Sequence, residues 1–142
     1  MTITVAVLTD VTDEVVEAFG RLLPQLTRTA PVPDREALGR LVACESNTVL
    51  VARNDDGIVG TLTLVLVPLP TGLRAHIEDV VVDGAARGQG VGEVLTLEAI
   101  RLARAAGSRT VDLTSRPSRV AANRLYQKLG FRLRESRVYR FG

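Results

Sequence analysis

Cysteine, histidine and aromatic residues are scarce: the 142-residue chain has one Cys, one His, no Trp and 4% aromatics. A single thiol excludes an intramolecular disulfide and a cysteine-based metal cluster, so no metal site is expected. Cys44, in LVACESN, has no activating base beside it and is expected to pack as a small core residue. The low aromatic content and the lack of a recognised module motif argue against nucleic acid as a partner. Long apolar runs are also missing. No stretch approaches the ~18 consecutive apolar residues of a membrane helix, and the opening MTITVAVLTD lacks the basic start of a signal peptide. A cytoplasmic protein without a membrane partner is the expectation.

What is present is ordinary for a globular chain: 46% hydrophobic and 24% charged residues, at a length suited to one domain spanning 1–142. The net charge of +2 is unevenly spread. Residues 1–100 carry 7 Lys+Arg against 14 Asp+Glu, a balance of −7, whereas residues 101–142 carry 11 against 2, a balance of +9. Two readings stay open: an anion-binding C-terminal third, or Arg-rich usage whose charges are simply solvated.

Alternation and β-branching predict a strand over Thr2–Leu8, and Val15, Val16, Phe19, Leu22 and Leu23 predict a helix over Asp13–Leu26, irregular near Pro24. Asp34 is a cap for a second helix ending near Ala43. Thr48–Arg53 and Ile58–Val67 read as antiparallel strands joined by Asn54-Asp55-Asp56-Gly57. A further strand, Arg74–Val82, runs into a glycine-rich stretch. A helix follows over Val91–Ala106, with Val91, Leu95, Ala99, Leu102 and Ala106 on its inner face. Thr110–Thr114 is a short strand, and Ser118 caps a helix over Val120–Leu129 that closes at Gly130 and Phe131. Leu133 and Val138–Phe141 are expected to form a last hairpin. The class is therefore α+β, with a mixed sheet.

Arg87-Gly88-Gln89-Gly90-Val91-Gly92 joins a strand to a helix, where free amides and the helix dipole attract phosphate. The dinucleotide pattern G-x-G-x-x-G fails because Glu93 stands where the third glycine belongs, and the P-loop fails because no Gly-Lys-Ser/Thr is present. R-x-x-G-x-G fits. It resembles the pyrophosphate-binding motif of GNAT-superfamily N-acetyltransferases, and Ala122-x-x-x-Tyr126-x-x-x-Gly130-Phe131 resembles that family's second signature. The specific resemblance covers about residues 74–132.

Membership implies the GNAT fold: a mostly antiparallel sheet of six or seven strands, splayed between the fourth and fifth, flanked by about four helices. It implies acetyl-coenzyme A as acyl donor, with the backbone of Val80 and Val82 along its pantetheine arm. The amides around Arg87, Gly88, Gln89, Gly90, Val91 and Gly92 would face its pyrophosphate. Asn123 would bond the pantetheine or the cleft wall. Arg116, Arg119 or Arg124 would meet the outer phosphate, unless they are merely solvated.

Acyl transfer to a neutral amine needs a polarised carbonyl and an acid for the leaving sulfur. A backbone amide near Val80–Val82 would serve the first need and Tyr126, a phenol of pKa ~10, the second. Glu78 is the leading base, acting directly or through water if partial burial raises its pKa, with His76 behind it; an amine of low pKa would need neither. On regular alternation His76, Glu78, Val80 and Val82 share one strand face, which a bulge would reverse. The expected function is N-acetylation of a primary amine, small molecule or peptide, in a ternary complex. The strand His76–Val82 also resembles the glucosamine-6-phosphate N-acetyltransferase branch, making an aminosugar phosphate one candidate acceptor, while Thr114–Arg119 departs from that branch. A non-catalytic acyl-coenzyme A sensor is the rival reading. The family resemblance also leaves a homodimer open, with Leu97 or the C-terminal strand as the contact.

Overall fold

A computed structural model describes residues 2–142. Among them the order is β1 (Thr4–Val7), α1 (Asp13–Leu26), α2 (Arg35–Ala43), β2 (Asn47–Asn54), β3 (Gly57–Leu69) and β4 (Gly72–Val82). A 3-10 turn at Gly84–Ala86 leads to α3 (Val91–Ala105), β5 (Val111–Asp112) and α4 (Val120–Lys128). The helix starts follow local chemistry. Thr12 Oγ1 accepts from Val15 N at 3.3 Å and Asp34 Oδ1 from Ala37 N at 2.9 Å, each satisfying an amide that the helix cannot. Helix α1 continues past Pro24 to Leu26; the missing amide falls opposite the carbonyl of the exposed Gly20, within reach of water.

The described strands form one sheet in the order β1-β2-β3-β4-β5, antiparallel except for the parallel β4–β5 pair. One face packs on α3 through Leu50, Leu62, Leu64, Ala75, Ile77 and Leu95. The other packs on α1 and α2 through Val15, Phe19, Leu22, Leu38, Val49 and Val51. Helix α3 sits close: a Cβ on Gly60 of β3 would come within 2.8 Å of Val91 and 3.1 Å of Leu95, so only glycine admits the helix start here.

Several expectations are corrected. The inner face of α3 is Val91, Leu95, Thr96, Ala99 and Ala103; Ala106 is exposed, because the stripe follows the 3.6-residue period onto Ala103. Arg119, not Ser118, is the cap residue of α4, with no side-chain bond. Cys44 is exposed at the C-terminal end of α2, since the apolar side of that short helix passes through Leu38. The sheet has five strands among the described residues rather than six or seven. The final hairpin is not formed: 132–142 lies outside the sheet, with Leu133 95% and Phe141 105% exposed.

The largest correction concerns β4. Thr61 faces Val81 and Thr63 faces Glu78, so Asp79 and Val80 together oppose Leu62, and Asp79 takes a left-handed φ of 51°. This bulge inverts the side-chain alternation. Ala75 and Ile77 before it, and Val80 and Val82 after it, all face the α3 core, whereas Val81 joins the α1 core. Glu78 and Val80 therefore do not share a face.

Candidate active site

Strands β4 and β5 pair only at Ala75–Val111 and His76–Asp112. Beyond His76 they part, and a cleft of about 1020 Å³ opens between Ile77–Val80 and the segment Leu113–Arg119. Tyr126 and Arg87 line it from the α4 and α3 sides, and it continues beneath Leu23, Leu26, Pro31 and Leu41 of the α1–α2 layer. His76 lies outside this lining, at the point where the strands still pair.

Tyr126 is placed by a local device. Helix α4 closes with Phe131 N bonding Tyr126 O at 2.9 Å and Gly130 N bonding Gln127 O at 3.1 Å, with Gly130 left-handed at φ 101°. This double bond pattern, completed by a contact between the flanking apolar residues, is the glycine-based helix stop. The contact here is Phe131 set edge-on to Tyr126, centroids 5.8 Å apart at 66°. The tyrosine is 8% exposed. Burial raises its pKa above the usual tyrosine value, opposed by the positive charge of Arg119. Its hydroxyl makes no protein hydrogen bond among the described residues, leaving it free toward the cleft.

The glycine turn is held from three directions. Arg21 of α1 binds Asp83 at 2.5 Å and the Ile58 carbonyl at 3.0 Å. Gln25 accepts from Gly84 N at 2.9 Å, and Asn54 donates to the Gln89 side chain at 3.0 Å. Asp83 in turn accepts from Ala85 N, which, with Arg21, keeps its carboxyl below the usual aspartate pKa. Gly88 and Gly90 have φ of 82° and 83°, and no atom stands within 4 Å of where their Cβ would be. The first backbone bond of α3 is Val94 N to Gly90 O, so the amides of Val91, Gly92 and Glu93 have no backbone acceptor. Open space above two glycines and a fan of unbonded amides fit a pyrophosphate.

The remaining expected site residues divide. Glu78 and Val80 line the cleft, Glu78 exposed rather than partly buried; Val82 turns to α3 and does not. Asn123 donates to the Arg116 carbonyl at 3.0 Å and so ties down the cleft wall. Arg116 and Arg119 line the cleft; Arg124 does not. Three features escaped the sequence reading. Asp79 lines the cleft because of the bulge, Ser115 Oγ is buried there without a partner, and Arg21 braces the turn from 62 residues away. The bulge and the brace have no local signature, though Ser115 sits in the segment already singled out. Electrostatically the cleft sets Arg87, Arg116 and Arg119 against Glu78 and Asp79.

A parallel β4–β5 pair that parts beside a glycine cradle and a buried tyrosine defines a class, the coenzyme A-dependent acyltransferases. The sequence model described as the acetyltransferase (GNAT) family matches residues 11–131, and the chain belongs to that family. Acetyl-coenzyme A is the acyl donor typical of this fold, and the cradle fits its pyrophosphate. A glucosamine 6-phosphate N-acetyltransferase of Trypanosoma brucei brucei is 40% identical over 84 residues, 57% of this chain and 55% of that protein. The match thus spans about half the length of that relative. Among solved structures, a transcriptional regulator from Bacillus halodurans is 28% identical with a TM-score of 0.83, covering 99% of this chain and 100% of that one. An acetyltransferase of Trypanosoma brucei is also 28% identical, with a TM-score of 0.77, covering 99% of this chain and 99% of that one. No helix among the described residues is long and apolar enough to cross a membrane.

Proposed function

We propose that this protein transfers the acetyl group of acetyl-coenzyme A to a primary amine that attacks directly within a ternary complex. The observation that carries the reading is the convergence of Arg87, at the entrance to the glycine cradle, the Asp79 bulge and Tyr126 on one cleft. When bound, acetyl-coenzyme A supplies an activated acetyl thioester. The amides of Val91, Gly92 and Glu93 and the dipole of α3 hold its pyrophosphate, whereas the Gln89 amide is already taken by the Ala86 carbonyl, and Arg87 adds charge nearby. A bulge leaves its extra residue out of the ladder, so an amide at Asp79–Val80 is free to face a developing oxyanion.

Tyr126 keeps its phenolic proton at neutral pH and delivers it to the departing sulfur. Because burial raises its pKa, the loss of activity from its ionisation falls above ~10, and not in the neutral range. Glu78 and Asp79 attract the protonated amine, and Glu78, wetted at the cleft, accepts its proton through water.

A second reading concerns the acceptor. The 40% identity to a glucosamine 6-phosphate N-acetyltransferase and the cleft arginines Arg116 and Arg119 favour an aminosugar phosphate, whose amine and phosphate match the two signs of charge.

Thiol release from acetyl-coenzyme A, measured against aminosugar phosphates, amino acids, polyamines and peptides, tests both. Tyr126→Phe is expected to lower kcat by about 10²-fold or more while acetyl-coenzyme A binding stays within about twofold. Equal turnover by the variant removes Tyr126 from the chemistry. Cofactor binding without turnover on any amine replaces the enzyme by a sensor.

A further inference from the structure

Helix α4 is lightly held for an element that carries the proposed acid. Tyr126 is its one buried residue, and no side chain caps its start. What secures it is a seam with the first turn of α3. A Cβ on Gly92 would stand 3.3 Å from Leu125 Cδ2, so the leucine lies directly over that glycine. Further along α4, Lys128 Nζ sits 3.2 Å from Glu93 Oε1 and donates to Glu93 Oε2 at 3.4 Å. Leu125 and Lys128 stand three residues apart on one helix face, and they meet the consecutive residues Gly92 and Glu93. The Lys128 pair is the only ion pair α4 makes among the described residues.

The position of Glu93 makes that pair more than a surface contact. It is the one acidic residue in the first turn of α3. The helix dipole favours a carboxylate there, yet the same dipole and the amides of Val91, Gly92 and Glu93 serve the pyrophosphate. Two anions thus compete for one helix start, and like charges there repel. The Glu93 side chain is only 34% exposed, so water screens its charge in part. An ammonium brought from the neighbouring helix removes the conflict.

We propose that Lys128 is a positioning residue for the acyl donor: it neutralises Glu93 beside the pyrophosphate and ties the helix that carries Tyr126 to the cradle. This role rests on the cradle being the acetyl-coenzyme A site. It makes the two halves of the donor machinery interdependent. A pyrophosphate that orders the first turn of α3 also steadies Leu125 and Lys128, and through them the turn of α4 on which Tyr126 sits.

Calorimetric titration of the full chain with coenzyme A is the test, since it needs no acceptor and no turnover. Lys128→Ala is expected to raise the Kd about fivefold, and Lys128→Arg to keep it within about twofold of the wild type. With Glu93→Gln already in place, Lys128→Ala is expected to change the Kd by less than about twofold, because no charge is left to neutralise. A fivefold loss that persists in the Glu93→Gln background would mean that Lys128 attracts the pyrophosphate directly, and it overturns the proposal. Amide hydrogen exchange reads the tie between the helices. Coenzyme A is expected to slow exchange over residues 120–128 in the wild type and to slow it less in Lys128→Ala; equal slowing in both overturns the tie. A wild-type chain that does not bind coenzyme A overturns the cradle and this role together, whereas binding indifferent to Lys128 overturns this role alone.

Discussion

From Asn47 to Val82 the chain pairs with itself along nearly its whole length, β2 on β3 and β3 on β4, and both faces of that block are covered by helices. From Val111 onward two residues join the sheet, a nine-residue helix carries one buried side chain, and the last eleven residues are bare. The two regions meet along the cleft. A tightly laddered wall opposes one with few constraints, so one side fixes the reacting geometry and the other is free to adjust to a ligand. Such division is physically economical: local openings come easiest where few apolar contacts and few ladder bonds must be broken.

The contrast can be broken first in the tight block. Leu62, fully buried opposite the bulge, has no route to collapse around a void, and Leu62→Ala is expected to lower stability by ~2–5 kcal/mol in urea unfolding. A loss below ~1 kcal/mol would show the block to be looser than its pairing implies.

At the junction the effect is smaller and shifts toward function. Gly90→Ala meets no atom, yet a side chain at φ 83° costs ~1–2 kcal/mol, and its methyl enters the space above the cradle. Calorimetric titration is expected to show acetyl-coenzyme A binding weakened roughly tenfold, about 1.4 kcal/mol. Unchanged affinity would place the pyrophosphate elsewhere.

The smallest effect sharpens the comparison by testing how the block holds the turn. Arg21 is about one-third exposed, so its pair with Asp83 is partly screened, and Arg21→Ala is expected to cost ~1 kcal/mol at neutral pH. The folded carboxyl of Asp83 is held below its ordinary value, first by the Ala85 amide and then by Arg21 and Gln25. Its contribution is therefore present above the ordinary aspartate pKa of ~3.9 and fades as pH falls below it. Thermal melts of wild type and variant should converge as the pH drops from 5 toward ~3. A gap that persists in acid would mean that Arg21 acts through the Ile58 carbonyl alone.

Much of the donor side was legible in the sequence because its signals are local. Gly88 and Gly90 are left-handed, a helix starts after Gly90, and Tyr126-x-x-x-Gly130-Phe131 closes a helix in one way, so spacing located these turns, while it was the resemblance to the family's two motifs that singled them out as a candidate cradle and acid. The boundaries of α1 and α2 were equally readable, from Thr12 and Asp34 and from apolar residues at helical spacing. The acceptor side was not. Its lining comes from α1, α2, β2 and β3 at once, and no single segment of Leu23–Leu41 contains a motif.

The chain's order of elements as far as α4, its glycine turn, the starts of α1 and α2 and the glycine stop of α4 were thus determined by the sequence, because each depends on residues within about one turn of one another. Tertiary structure alone decided which way Glu78 and Val80 point, since one extra residue at Asp79 inverts a strand whose partners lie in β3. It also decided that Arg21 grips Asp83, that Ser115 is buried without a partner and that residues 132–142 find no place on their own sheet. Each of these is a match between distant surfaces, and a linear pattern carries no record of which surfaces will meet.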